Sequence, residues 1–492
     1  MTIPEQIEDL FRRHSQAEII RIEKLPQSGS DRIYFRIYCT VMPGGHGQSV
    51  IATYNYNVKE NNTFINFSRH FKNASAPVPV VFATSEDGSI YLQEDFGNIS
   101  LLNKLEEHGH NEYVYSLYQK SLKALVNLQV KGDVDLDYEW SITSMEFGKQ
   151  AILSDLLYFK YYFLDTLKIP YDKEKLYSDF DALSNYLAHV DHKYFMYRDF
   201  QSRNIMVENN EVHFIDYQGG MKGALQYDVA SLLWQAKANL PEEWKNSLLQ
   251  YYMECADEVV ENKIDRLQFE SQYNGYVLLR MLQVLGAYGF RGLFERKAHF
   301  LTSIPLALTN LKWFIQHKNL GISLAEFGNL LNLVVEDEVI NRFVPIKADT
   351  NSPLTVTINS FSYIQSGYPT DSTKNGGGFV FDCRGILNPG RIDKYKAQTG
   401  RDKEVKDYLE QQTRMEDFLN SIYNVVDITV ENYLERDFEN LVINFGCTGG
   451  RHRSVYAAEA LSRHLRNKYG VRIILAHLEQ DIKEVKESPN VA

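Results

Sequence analysis

Residues 197–204 read YRDFQSRN, and Asp216 follows in HFIDYQ, twelve residues after Asn204. An acid, an amide five positions on and a second acid closing an apolar run form the set that phosphoryl transfer from ATP requires. Asp199 would accept or orient the proton of an attacking hydroxyl, while Asn204 and Asp216 would offer oxygens to Mg²⁺. The intervening NIMVENNEVHFID reads as a hairpin turned at Asn209 and Asn210. A hairpin of that size returns Asn204 and Asp216 to the same end, where one cation can touch both. Asp and Asn are also ordinary turn residues, so a polar loop beside a plain hairpin is the alternative.

The block YRDFQSRNIM, taken with FIDYQGGMKGALQYDVASLL, resembles the aminoglycoside-phosphotransferase/choline-kinase superfamily. Within it the match is nearest to the AmgK-type kinases, which phosphorylate the anomeric hydroxyl of N-acetylmuramate or N-acetylglucosamine in cell-wall recycling. The resemblance runs over most of residues 20–320. It implies a two-lobed protein-kinase-like fold with a small β-rich lobe and a large helical lobe, and ATP and Mg²⁺ as cofactors. Tyr197 stands where the family usually has a histidine that packs and hydrogen-bonds the loop, a role tyrosine is expected to fill.

A chain of 492 residues exceeds one ordinary core and predicts two or three domains. Hydrophobic residues make up 44% and charged residues 24%, the balance of a folded soluble protein. The start MTIPEQIEDLFRRHS lacks the apolar core of a signal peptide, and no later run approaches membrane-spanning length, so a cytoplasmic protein with no membrane contact is expected. Four dispersed cysteines without a CxxC pair argue against a disulfide framework or zinc site. The net charge of −12 disfavours indiscriminate nucleic-acid binding. Residues 351–492 carry 18 Lys and Arg against 19 Asp and Glu, so the acidity sits in the part before them.

From the N-terminus, Ile7, Leu10, Phe11 and Ile19 suit an amphipathic helix capping the first lobe. IIRIEKL and RIYFRIYCTV flank QSGSDR as strand, turn and strand. In the resemblance that turn covers the nucleotide, with Gly29 and Ser28 or Ser30 over the phosphates; an ordinary hairpin turn is the bland alternative. The next strand, QSVIATYN, has Thr53 where a typical kinase presents its ATP lysine, and ENNTFINF after it supplies no clear partner glutamate. Arg32 or Lys59 would then meet phosphate charge beside Mg²⁺, although either suits a solvated surface. YLQEDFG joins the lobes near 93–98, and the resemblance gives Glu94, Asp95 and Phe96 backbone contacts with adenine. Residues 100–195 are helical by pattern, their aromatic stripes reading as core. Asp228 opens an apolar helix as an N-cap, in the family bracing the catalytic loop from behind.

VPIKADTNSPL, 344–354, reads as a linker between a kinase domain, 1–343, and a second domain, 355–492. In the latter, LVINFGCTGGRHRSVYAAEALSRHL is an apolar strand, a glycine turn and a helix. The junction gathers free N–H groups, a helix dipole and the cations Arg451, His452 and Arg453, an anion-binding arrangement. Cys447 to Arg453 also fits the Cys-x5-Arg spacing of tyrosine-phosphatase loops, with Asp382 the sole candidate general acid. Residues 356–480 closely resemble the C-terminal domain of the RNase adapter RapZ, through SFSYIQSGYP, FVFDCRGILNPG, TGRDKEV and CTGGRHRSVYAAE. The resemblance implies an α/β sugar-phosphate-binding domain whose loop, Cys447, Thr448, Gly449, Gly450, Arg451, His452, Arg453 and Ser454, takes a hexosamine phosphate. In the family a histidine in the SFSYIQSGYP segment assists; here Gln365 and Ser366 stand there. Some members bind RNA, for which this near-neutral domain offers no basic stripe.

Three functions remain open on the sequence: an ATP-dependent amino-sugar kinase with a sensing domain, a non-catalytic regulator binding sugar phosphate or RNA, and an aminoglycoside or choline kinase. Retention of Asp199, Asn204 and Asp216 favours the first.

Overall fold

In the computed structural model of the chain, the described residues are 2–26, 32–40, 48–190, 193–295, 297–348, 352–370 and 378–487. They form two compact units, one of residues 1–287 with 306–339, the other of 288–305 with 340–492.

The first unit begins with helix α1, Ile3–His14, whose start is fixed by a capping box: Thr2 accepts from the Glu5 amide and Glu5 reaches back. An antiparallel sheet of order β1-β2-β3-β5-β4 follows. Its strands are β1 (Ile19–Lys24), β2 (Ile33–Cys39), β3 (Ser49–Tyr54), β4 (Val81–Thr84) and β5 (Ile90–Glu94), with helix α2, Val58–Asn73, after β3. Ile7 and Phe11 of α1 bury against Phe35, Ile37, Val50, Ala52, Ile90 and Leu92 as the amphipathic spacing predicts, whereas Ile19, read with them, lies past the helix and opens β1.

The helical lobe adds α3 (Leu101–His108), α4 (Glu112–Lys131), α5 (Lys149–Tyr162) and α6 (Lys173–Ala188). Two small strand pairs carry the quoted motif, β6 (Tyr194–Met196) with β9 (Met221–Gly223), and β7 (Ile205–Glu208) with β8 (Glu211–Phe214). Asn209 and Asn210 both take positive φ, 50° and 64°, the two left-handed residues of the tight turn the sequence called for. The remaining helices are α7 (Leu225–Leu233), α8 (Glu242–Asp257), α9 (Arg266–Tyr288), α10 (Ala298–Leu301), α11 (Ile304–His317), α12 (Ala325–Val334) and α13 (Asp337–Asn341), of which α10 falls in the second unit and α13 crosses the boundary at 339 and 340. Contrary to the expectation of no membrane-length run, Arg266–Phe294 is helical over 29 residues and apolar enough to cross a bilayer. Val277, Leu278, Leu279, Leu282 and Leu285 along it are, however, buried.

The second unit is a mixed sheet of order β11-β12-β10-β13-β14. It comprises β10 (Thr355–Ser362), β11 (Gly378–Asp382), β12 (Asn440–Cys447), β13 (Arg472–His477) and β14 (Ile482–Lys486), parallel except for β14. Helices α14 (Lys403–Gln412), α15 (Met415–Glu435) and α16 (Arg453–Tyr469) share its core, where Val356, Ile358, Ile443 and Phe445 meet Leu419, Ile422, Val426, Leu461 and Leu465. This is the α/β second domain the sequence implied, after a β-rich and a helical lobe.

Candidate functional site

The quoted loop leaves β6 through Arg198, whose φ of 79° turns the chain so that Asp199 follows a sharp bend. Asp228 holds that bend from within. It lies inside α7, where Ala224 is the N-cap, so it is not the cap the sequence suggested. Its buried carboxylate accepts from Tyr197 N at 2.8 Å, Arg198 N at 3.0 Å and Gln129 Nε2 at 2.9 Å. Burial pushes its pKa up to about 7, against the pull of these bonds. The Arg198 guanidinium is drawn into the helical lobe by Asp155 at 2.8 Å and the Tyr227 hydroxyl at 2.7 Å. Tyr197 is buried, and its hydroxyl donates to the Ile215 carbonyl, one residue before Asp216. The tyrosine therefore does the packing and hydrogen-bonding expected of the family's histidine.

The hairpin brings Asn204 and Asp216 together. Asn204 Nδ2 lies 3.4 Å from Asp216 Oδ2 and donates to the Asp199 carbonyl at 2.9 Å. Asp216 sits at φ 71°, and its Oδ1 takes Arg32 Nη2 at 2.7 Å and Gln218 Nε2 at 2.9 Å. Burial raises this carboxyl, but Arg32, Gln218 and Arg203 outweigh it and hold it below the ordinary carboxylate value. With 32% of its side chain exposed, it stays ionised and reachable. Among the described residues, no side chain hydrogen-bonds the Asp199 carboxylate, which leaves its oxygens to accept.

This donor set fits a divalent cation of the magnesium type. One carboxylate and one amide oxygen suffice where phosphates and water complete the shell, and no group of three acidic, histidine or cysteine ligands exists among the described residues. Asn204 and Asp216 would hold the ion.

The other residues expected at a nucleotide site separate. Ser28, Gly29 and Ser30 lie outside the described residues. Thr53 is buried on β3 and accepts from Gln93 Nε2 at 3.4 Å. Lys59 donates to the Ile142 carbonyl at 2.8 Å and is tied away from the site. The expectation of no partner glutamate is corrected by Glu60 on α2, whose Oε1 forms an ion pair with Arg32 Nε at 3.3 Å. At the lobe junction, Glu94 N donates to the Val80 carbonyl at 2.9 Å, and Phe96 stacks on His213 at 4.1 Å between ring centres. Asp95 is turned inward: Arg36 Nε and Nη2 reach its oxygens at 2.6 and 2.9 Å, while Arg36 Nη1 takes Asn98 Oδ1 at 2.6 Å. Asp95 thus pins the junction with its side chain. Glu60, Gln218, Arg203 and the Arg36–Asp95 clamp were missed in the sequence; only the alternation of Arg32, Tyr34 and Arg36 along a strand hinted that two arginines share a face.

In the second unit, Cys447 ends β12 and Arg453 begins α16. Cys447 is 2% exposed, with Sγ 3.1 Å from the Ser454 hydroxyl. The Arg453 guanidinium donates to the carbonyls of Ile386 at 2.8 Å and Arg384 at 3.1 Å and approaches Thr448 Oγ1 at 3.3 Å. His452 bonds the Tyr395 carbonyl at 2.9 Å, and burial lowers its pKa. Asp382 pairs with Gly446 in the strand register but caps the turn at Cys383 and is bound to Arg384 at 2.6 Å. A buried thiol and an arginine engaged by carbonyls make a rigid loop rather than a poised nucleophile. Thr448, Gly449 and Arg451 are its exposed members, and Gly450, at φ 59°, lets the backbone turn beneath them. The helix start has no side-chain cap, so no capping side chain takes its first N–H groups. The SFSYIQSGYP segment lies beside it, Ser362 donating to the Thr448 carbonyl at 2.6 Å and Ser366 N to Glu479 at 3.1 Å.

Residues 53–260 match the model described as phosphotransferase enzyme family, and residues 354–481 that described as RapZ C-terminal domain. A nucleotide-binding protein of Caldicellulosiruptor bescii is 36% identical over 157 residues, which cover 32% of this chain and 51% of that protein. One of Clostridioides difficile is 30% identical over 166 residues, covering 34% and 55%. The chain spans about half the length of these relatives. Among solved structures, choline kinase from Cryptosporidium parvum shares 12% identity at a TM-score of 0.45, covering 67% of this chain and 99% of its own. Macrolide 2′-phosphotransferase MphH from Brachybacterium faecium shares 12% at 0.41, covering 61% and 95%. The chain thus carries a region that matches the phosphotransferase enzyme family, followed by one that matches the RapZ C-terminal domain.

Proposed function

We propose that the protein transfers the terminal phosphoryl group of ATP, with Mg²⁺, to a hydroxyl of an amino sugar such as N-acetylmuramate or N-acetylglucosamine, at the anomeric position. The observation that carries this reading is the convergence of Asn204 and Asp216, 3.4 Å apart, with Asn204 also bonded to the backbone of Asp199. Bound there, Mg-ATP supplies the phosphoryl group and neutralises its charge. Asp199 accepts the proton of the attacking hydroxyl at a carboxylate oxygen that no described side chain bonds. Asp228 keeps the bend before it in place, and Tyr197 ties the loop to the strand that delivers Asp216. The sugar acceptor rests on the resemblance to AmgK-type kinases and on the second domain, which we propose binds a hexosamine phosphate through Thr448, Gly449 and Arg451.

The test is incubation of the full chain with ATP, Mg²⁺ and a panel of N-acetylated and free amino sugars, with an aminoglycoside and choline alongside, the product's phosphorylated position being read by phosphorus NMR. A sugar 1-phosphate is expected, with Asp199→Asn reducing turnover at least about 100-fold, as loss of a general base does. Sugar-independent ADP release, or phosphorylation of the aminoglycoside or choline alone, overturns the assignment.

A further inference from the structure

The strand register gives a cation to a site whose lysine is missing. Tyr34 on β2 pairs with Thr53 on β3, and Thr53 pairs with Tyr91 on β5. Opposed residues point to one face of a sheet, as do residues two apart on a strand, so the side chain of Arg32 emerges on the same face as Thr53. Thr53, in the lysine's place, is neutral and buried. Arg32, one residue before the neighbouring strand β2 and diagonal to Thr53, brings the charge. Its guanidinium spans two carboxylates from different elements: Glu60 in the first turn of α2 at 3.3 Å, and Asp216 at the metal-binding turn at 2.7 Å. Glu60 is itself steadied by Asn55 Nδ2 at 2.9 Å. Only 10% of the Arg32 side chain is exposed, so it is held among its carboxylates rather than solvated on the surface.

We propose that Arg32 takes the place of the absent β3 lysine, Glu60 holding it and Asp216 sharing it, so that its charge meets the nucleotide's phosphates beside the metal once they compete for the guanidinium. This deepens the phosphotransferase reading and rests on it. One cation between two carboxylates leaves the cluster net negative, which favours a divalent ion arriving with the nucleotide. A planar guanidinium also matches phosphate geometry better than a point charge. The same contact ties the sheet to the turn carrying Asp216.

The experiment compares equilibrium binding of Mg-ATP and of adenosine to the full-length wild type, Arg32→Ala, Arg32→Lys and Glu60→Gln, together with KM for ATP. Arg32→Ala is expected to weaken Mg-ATP at least about tenfold, the effect of losing a hydrogen bond to a charged group, and to leave adenosine binding unchanged. Arg32→Lys should recover part of the loss, and Glu60→Gln should fall between. If Arg32→Ala does not fold, the Lys and Gln variants carry the comparison. An unchanged ratio of ATP to adenosine affinity in these variants makes Arg32 a structural bridge and overturns the inference while leaving an active wild type as a kinase. A wild type that binds adenosine and Mg-ATP equally and transfers nothing overturns both readings.

Discussion

Replacing Asp228 by asparagine sets two opposing effects against each other. The wild-type carboxylate is buried, with three donors on it, and burial raises its pKa from 3.8 to about 7. A carboxyl whose folded pKa lies above its unfolded one binds its proton more tightly in the fold. Its stabilising contribution is complete below about pH 4 and is lost as the pH rises to about 7. Above that, keeping it ionised inside the protein costs about 4 kcal/mol. An amide cannot ionise, so Asp228→Asn removes this slope. Its oxygen can still take Tyr197 N and Gln129 Nε2, but its NH₂ then faces Arg198 N–H, and an orphaned buried donor costs about 1–3 kcal/mol. The relief outweighs that cost at pH 8 and vanishes at low pH. The variant is therefore expected to match or exceed the wild type in thermal stability at about pH 8 and to fall below it at about pH 4.5. Peptides spanning 194–204 should meanwhile exchange their amide protons faster, and turnover should drop, because Arg198 leads directly into Asp199. Melting curves of both chains at the two pH values decide the matter. If their melting temperatures move in parallel with pH, the carboxylate does not titrate in this range and the reasoning fails.

Two further substitutions probe other parts of the chain. Arg36→Ala leaves Asp95, whose side chain is 3% exposed, without its cation. Breaking a buried pair on one side costs about 3–5 kcal/mol, so the melting temperature of the first unit should drop by many degrees, and an unchanged melt refutes the clamp. Gly450→Ala puts a Cβ 2.2 Å from Glu479 Cγ and 3.1 Å from Ser362 N, at φ 59°. Destabilisation of the second unit by at least about 1–2 kcal/mol is expected from the backbone strain alone, together with weaker anion binding by the loop, both readable by calorimetry.

What could be read from the chain was local. The turn at Asn209 and Asn210 and the meeting of Asn204 with Asp216 follow from thirteen residues of contiguous sequence, where spacing determines geometry. The glycine turn after β12 was likewise legible, because a strand, a turn and a helix in succession leave little choice. Arg32 and Asp216 are 184 positions apart, and no periodicity announces such a pair. Glu60 escaped notice because a glutamate in the first turn of a helix is commonplace, and its meaning comes only from the cation that reaches it. Asp228 was misread as a cap for a related reason: an acid before an apolar run looks the same whether it faces its own helix or a loop folded behind it. The residues expected beside adenine illustrate the opposite limit, since the Asp95 side chain bonds Arg36 inside the lobe junction, a contact that an expected backbone role does not announce.

Position 216 answers to two demands at once. A left-handed backbone there accommodates aspartate or asparagine far more readily than longer acids, and the cation site we propose there requires a negative charge. Asparagine would preserve the shape and lose the charge, while glutamate would preserve the charge and distort the shape. No single replacement keeps both, so this position cannot wander during evolution without the chain giving up either its turn or its chemistry.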